Sequence, residues 1–277
     1  MKTLPKTFVN LSAIVMYACL MPLASHAELT AYESFEDGEN GGFLINGWTY
    51  GDGNNQMATG TSFATEDLSY SSGSVSITGG SHSYKLEKTG NRGALNSFTF
   101  TAQTGDVYFS FLASNAQHFF QVYLSDDADT GNSVAVVFDY RNANDVKVNG
   151  RLDGQGQENT LDLLDGDGGD SVWVIGKLSK SLDSSNYNQL SIIFNPTDYN
   201  EDWDVTATKD IGISEVDTFG LRTFGTGSNG GPAEGDISYI DEIRIGTTFE
   251  HVIPEPDTYA LLVGLAGLTF VMLRRRR

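Results

Sequence analysis

The chain has one cysteine, Cys19, in 277 residues. It lies in an N-terminal apolar run, so the body beyond it can form no disulfide, and stability there comes from packing or a bound metal. Histidine is also scarce. His26, His82, His118 and His251 lie far apart in sequence, and no His-x-x-x-His pair offers a zinc site. Basic residues are few as well. Of 17 basic and 36 acidic residues, 11 bases and 35 acids lie between Glu28 and Pro256, a net charge near −24. That sign excludes nucleic acid as a partner, because phosphate binding needs cations. It suits solubility, divalent cations or a charged cell surface, and does not select among them. The body also lacks the i, i+3, i+4, i+7 apolar spacing of a long amphipathic helix.

Both ends read as targeting segments. Lys2 and Lys6 precede the apolar Leu11–Ala24, and Ser25-His26-Ala27 places small residues at −3 and −1 of a cut after Ala27. Residues 1–27 are therefore expected to be a secretory signal peptide rather than a membrane helix. At the other end, Tyr259–Leu273 is a run of 15 apolar or small residues between Asp257 and four terminal arginines. As a helix it would reach roughly 22 Å, short of the roughly 30 Å hydrocarbon core. Four arginines would not follow it into a protein core without a large desolvation cost. A transient membrane segment held on the cytoplasmic side by its charges is the reading that remains.

Pro254-Glu255-Pro256, the short apolar span and Arg274, Arg275, Arg276 and Arg277, in that order, resemble the PEP-CTERM sorting signal of exported bacterial proteins. The resemblance implies processing by exosortase, passage through the inner membrane by way of Tyr259–Leu273, and delivery to the surface or extracellular matrix of a Gram-negative-type bacterium. A permanent anchor is the alternative.

Residues 28–252 read as one β domain. Short aromatic and β-branched runs recur, among them Asn96–Thr101, Asp106–Phe111, Phe119–Ser125, Val134–Tyr140, Val172–Ile175, Gln189–Phe194, Phe219–Phe224 and Ile237–Ile245. Gly, Asn, Asp and Ser clusters separate them, and Asn149-Gly150 reads as a two-residue hairpin turn. Val134–Tyr140, apolar at most positions, is expected in mid-sheet. The pattern predicts an antiparallel jelly-roll β-sandwich. The opening stretch Tyr32–Asn54 and the closing "GDISYIDEIRIGTTFEHV", with "VWVIGKLSKS" and "LSIIFNPT" between, resemble the concanavalin A-like (laminin G-like) jelly roll and carbohydrate-binding modules of that type. The resemblance places the first strand beside the last, Glu36 or Glu33 near Asp241, and implies a structural Ca²⁺ on Glu36 and Asp241. Solvated edge carboxylates are the alternative.

Other candidates are weaker. Asp162–Asp170 fails the helix-loop-helix calcium pattern, since counting from Asp165 puts Gly169 and Asp170 at positions five and six. Concanavalin-like hydrolases resemble one another in a Glu-x-Asp-x-x-Glu strand motif. Here Glu215-Val216-Asp217-Thr218-Phe219-Gly220 lacks the second glutamate, which two-carboxylate chemistry needs. No Gly-x-Ser-x-Gly is present. The expectation is that the chain is not an enzyme. Trp203 and Tyr199, in the acidic loop "NPTDYNEDWD", are the aromatics expected to stack on sugar, whereas Trp173 is expected in the core. The function expected is a non-catalytic surface protein associated with extracellular polysaccharide. The alternatives are an adhesive or structural surface protein without a sugar site, and an unrecognised glycoside hydrolase.

Overall fold

The computed structural model describes residues 29–35, 49–50, 62–64, 68–87, 95–114, 120–126, 133–142, 145–152, 155–156, 161–165, 171–208, 212–223, 237–254, 272 and 274. Both the signal segment and nearly all of the tail lie outside them. Among the described residues no helix is long and apolar enough to cross a membrane.

The architecture is an antiparallel β-sandwich. β1 (Ala31–Glu33), β2 (Thr49–Tyr50), β3 (Ser62–Ala64), β4 (Ser69–Ser72), β5 (Val75–Thr78) and β6 (Ser83–Glu87) come first. β7 (Leu95–Gln103), β8 (Val107–Ser114), β9 (Phe120–Ser125), β10 (Ser133–Asn142), β11 (Asp145–Leu152) and β12 (Gln155–Gly156) follow. The last strands are β13 (Leu161–Asp165), β14 (Val172–Ser179), β15 (Gln189–Phe194), β16 (Val205–Thr208), β17 (Val216–Thr223) and β18 (Ile237–Gly246). A single helical turn, α1 (Phe249–Val252), closes the body.

Sheet I runs β16-β15-β14-β8-β18-β6-β3, with β1 also on β18; sheet II runs β12-β11-β10-β9-β17-β7-β2, with β13 on β11; β4 and β5 form a separate hairpin. The first strand does lie beside the last, in the register Ala31↔Ile245 and Glu33↔Ile243. β10 lies between β9 and β11, as its apolar run predicted.

Asn149-Gly150 is not a turn. β11 runs straight through it, with Asn149 opposite Val137 and Gly150 opposite Val136. Val146, Val148 and Leu152 keep one face across that point, and the unbroken pairing with β10 outweighs the local turn preference. The hairpin closes instead between Asn142 and Asp145.

The central strands of sheet I, β8 and β14, are buried on both faces. Phe109, Phe111, Val172, Val174, Leu190, Ile192, Ile243 and Ile245 meet Val122, Leu124, Phe219 and Leu221 of sheet II in the central core. The alternate residues Tyr108, Leu112, Trp173, Ile175 and Ile193 form a second apolar layer on the far side. Leu68, Val75 and Ile77 around the β4–β5 hairpin and Phe249 and Val252 of α1 cover that layer. β8 (VYFSFLAS) is therefore buried at every position, as expected of a strand with apolar neighbours on both sides. Trp173 is fully buried, as its strand position predicted. At Gly176 a Cβ would sit 2.0 Å from Phe109 Cζ, so the ring occupies the place of a side chain.

Candidate functional site

The two sandwich faces differ in chemistry. Sheet I carries apolar residues inside and out. Sheet II is apolar inside, while its outer face in mid-sheet is built from Ser97 of β7, Gln121, Tyr123 and Ser125 of β9, and Thr218 and Gly220 of β17. All five side chains are buried. Register aligns them: Gly220 lies opposite both Ser97 and Tyr123, and Thr218 lies opposite Ser125. The residues between them, Phe98, Val122, Leu124, Phe219 and Leu221, lie in the core. Period-two alternation thus assigns every second residue to the polar face.

Gly220 has a steric reason. A Cβ there would lie 2.1 Å from Cζ and 2.3 Å from the hydroxyl oxygen of Tyr123, so the tyrosine ring lies across the glycine backbone. This is also the position where the Glu-x-Asp-x-x-Glu pattern breaks. Asp217 accepts a 2.7 Å hydrogen bond from the Thr218 hydroxyl. Closed off from solvent, this row of hydroxyl and amide side chains is a buried polar layer under the outer side of sheet II. None of these residues was singled out from the sequence. The available signal was the polar half of the alternation in "NSFTFT", "FFQVYLS" and "DTFGLR".

The carboxylate expected to bind calcium behaves differently from a solvated edge acid. Asp241 is 0 % exposed. Its Oδ1 accepts from the Glu242 amide at 2.7 Å, and a Cβ on Gly79 would fall 2.0 Å from its Oδ2. The Leu68 carbonyl, which accepts from the Gly79 amide at 2.8 Å, is the next oxygen at that point. Asp241 begins a bulge. It lies opposite Leu112 and Arg244 opposite Ser110, which leaves one extra residue on β18, and Glu242 takes a φ of 51° there. Glu242 is engaged, accepting from Tyr32 Oη at 2.7 Å and from Arg244 at 2.8 Å. Glu33 accepts locally from the Phe35 amide. Glu36 lies outside the described residues. One carboxylate and one backbone carbonyl are two of the six to eight oxygens that Ca²⁺ takes. No group of three or more His, Cys, Asp or Glu side chains placed to hold a metal occurs among the described residues.

Trp203 and Tyr199 do not stand free of the body. Both are half-buried against the second apolar layer. The Trp203 ring packs 6.4 Å from Tyr108 and edge-on to Phe249 at 6.3 Å. The loop is tied down by Asp204, whose carboxylate accepts from the Phe194 amide at 2.8 Å, and by Glu201, which accepts from the Tyr108 hydroxyl at 3.0 Å. Lys177 completes this edge, 3.0 Å from Asp106 and 3.6 Å from Glu201. Burial draws its ammonium pKa down, but the Tyr108 hydroxyl and the Asp106 carboxylate outweigh burial and hold it above the usual lysine range. The two expected stacking residues therefore sit on sheet I, on the opposite side of the sandwich from the polar face.

No family model matches the chain, and no curated protein matches it. Solved structures do. The globular domain of T. cruzi calreticulin is similar at 10% identity and a TM-score of 0.50, over 90% of this chain and 100% of that one. Bacillus licheniformis β-glucanase is similar at 12% identity and a TM-score of 0.47, over 80% of this chain and 100% of that one. A variant of alginate lyase Aly36B in complex with an alginate tetrasaccharide is similar at 13% identity and a TM-score of 0.46, over 74% of this chain and 98% of that one. The fold is the concanavalin A-like jelly roll. The expectation that the chain is not an enzyme is corrected by these neighbours: two of them are enzymes, a glucanase and a lyase. Loss of one glutamate from one hydrolase motif does not remove a jelly roll from the catalytic class, because active residues are grafted onto a fold separately from it.

Proposed function

We propose that the chain is exported and surface-sorted, and that it engages polysaccharide through Trp203 and Tyr199 of the loop between β15 and β16. The observation that supports the glycan reading is that the Tyr199 and Trp203 rings rest against the outer apolar layer of sheet I while keeping part of their surface in solvent. The ligand class is that of the neighbours named alginate lyase and β-glucanase.

Export by the Met1–Ala27 segment and handling of the Pro254-Glu255-Pro256 tail by exosortase belong to the same proposal, as does delivery to the cell surface or matrix. They are supported by the order of the motif, apolar span and arginines. A structural Ca²⁺ held by Asp241 and Glu36, with backbone carbonyls completing its shell, is also proposed, supported by the burial of Asp241.

A glycan array run beside a product assay on the purified protein tests the function. Bound glycan, with or without released oligosaccharide, agrees with the reading. No binding and no product would favour a structural surface protein without a sugar site.

A further inference from the structure

We propose that α1 is a pH-sensitive clasp. His251 holds the end of the body against sheet I at neutral pH, and releases the chain leading to Pro254-Glu255-Pro256 when its ring takes up a proton. This goes beyond the glycan reading and does not depend on it.

A capping box ordinarily sets Glu or Gln at the third helical position, where the side chain accepts from the backbone amide at the cap. In α1 that position is His251. Its Nδ1 accepts from the Thr248 amide at 3.3 Å and from the Thr247 amide at 3.0 Å. Both donors are N–H groups, so Nδ1 carries no proton and the ring is the Nε2–H tautomer. The seat is close. A Cβ on Gly246 would lie 2.2 Å from His251 Cβ and 2.8 Å from Nδ1, so the side chain rests on bare backbone.

The clasp secures a turn that cannot hold itself. A four-residue helix does not persist alone in water, so α1 depends on its cap and its packing. Phe249 meets the Tyr108 and Trp203 rings edge-on, at 6.5 and 6.3 Å, and Ser110 pins the Val252 carbonyl.

Glutamine in this place would accept at any pH. Histidine does not. A free imidazole takes up a proton near pH 6.5, and the charged ring has two donors and no acceptor. It would aim an N–H at two amide N–H groups and must swing out. The clasped ring holds no proton at Nδ1 and the released ring takes one. The clasp is therefore at full strength well above that pH and weakens as the pH falls below it.

Glu250, next in sequence, works against release by favouring the charged ring. It is exposed and therefore screened by solvent, and its own backbone amide, then the Thr248 side chain, hold its carboxyl below the usual range. The charged and titratable groups on the strands beneath α1 have contacts of their own. On β18, Asp241 accepts from the Glu242 amide, Glu242 pairs with Arg244, and Tyr239 packs against the outer layer. On β8, Tyr108 donates to Glu201, which flanks Lys177 with Asp106.

Hydrogen exchange on the full-length protein at about pH 7.5 and about pH 5, corrected for the intrinsic effect of pH, tests the clasp. Protection of residues 247–254 should fall about threefold or more at the lower pH, as loss of a helix cap does, while β8 keeps its protection. His251→Gln should stay protected at both values, and His251→Ala should be loose at both. Unchanged protection of 247–254 in the unaltered protein, or an equal loss in β8, overturns the clasp even if the variants misfold. An equal acid loss in folded His251→Gln overturns it too.

Discussion

The Ser110 hydroxyl of β8 donates a buried 2.6 Å hydrogen bond to the carbonyl oxygen of Val252. It joins the middle of sheet I to the last residue of α1, two positions before the Pro-Glu-Pro motif. Phe249 and Val252 sit in the outer apolar layer, and the Thr247 amide donates to His251 Nδ1 at 3.0 Å, holding the turn that carries them. The fold therefore extends to the edge of Pro254-Glu255-Pro256.

Removing Phe249 should accordingly weaken the whole body. Phe249→Ala is expected to cost about 3 kcal/mol in urea unfolding, the low end for a phenylalanine buried at the edge of a layer. Ending the chain after Pro254 should leave the unfolding midpoint unchanged, whereas ending it after Gly246 should lower it strongly. A loss below about 1 kcal/mol for Phe249→Ala would show that the layer is not cooperative with the core.

Gly220 and Tyr123 should behave as one unit. Gly220→Ala pushes against the ring and is expected to cost about 1–3 kcal/mol, as overpacking does. In a Tyr123→Ala background most of that cost should vanish. Additive effects in this cycle would mean that the ring does not lie across the glycine.

Calcium should stabilise the folded state. An ion bound only by the native protein raises the melting temperature with concentration. The rise should disappear with chelator and in Asp241→Asn, which keeps the shape of the side chain but removes its charge. A melting curve indifferent to calcium would count against the ion.

Alkaline pH should weaken the link between β1 and β18. Burial of its ring, then the hydrogen bond to Glu242, push the Tyr32 hydroxyl up to about 12 from an unfolded value of 10.0. Between these values the folded state holds a proton that the unfolded state has lost, so stability is full below pH 10 and falls as pH rises toward 12. Tyr32→Phe should remove this part of the decline. Ultraviolet titration should show one tyrosine ionising near pH 12, and an ordinary value would remove the Glu242 contact.

The sheet pattern was legible where it was strongest. "VYFSFLA" and "VWVI" are apolar on successive residues because the central core lies on one side of sheet I and the hairpin and α1 on the other. Pairing at long range was not legible from local pattern. β18 lies against β8 although more than a hundred residues separate them, and only the family resemblance put the last strand beside the first. Trp203 read as exposed because acids surround it. Two of those acids, Glu201 and Asp204, instead hydrogen-bond the loop down onto sheet I. The polar stripe was hidden for the opposite reason. Alternation marks a half-buried strand, and nothing in "FFQVYLS" tells that its polar half is shielded too.

Retention of the protein on polysaccharide, measured for the unaltered chain and for a Trp203→Ala, Tyr199→Ala double variant, tests the account most directly. The account predicts retention by the former, a loss of at least about tenfold in the latter, and native circular dichroism for both. Equal retention by the two folded proteins, or none by either across a broad panel, would contradict it.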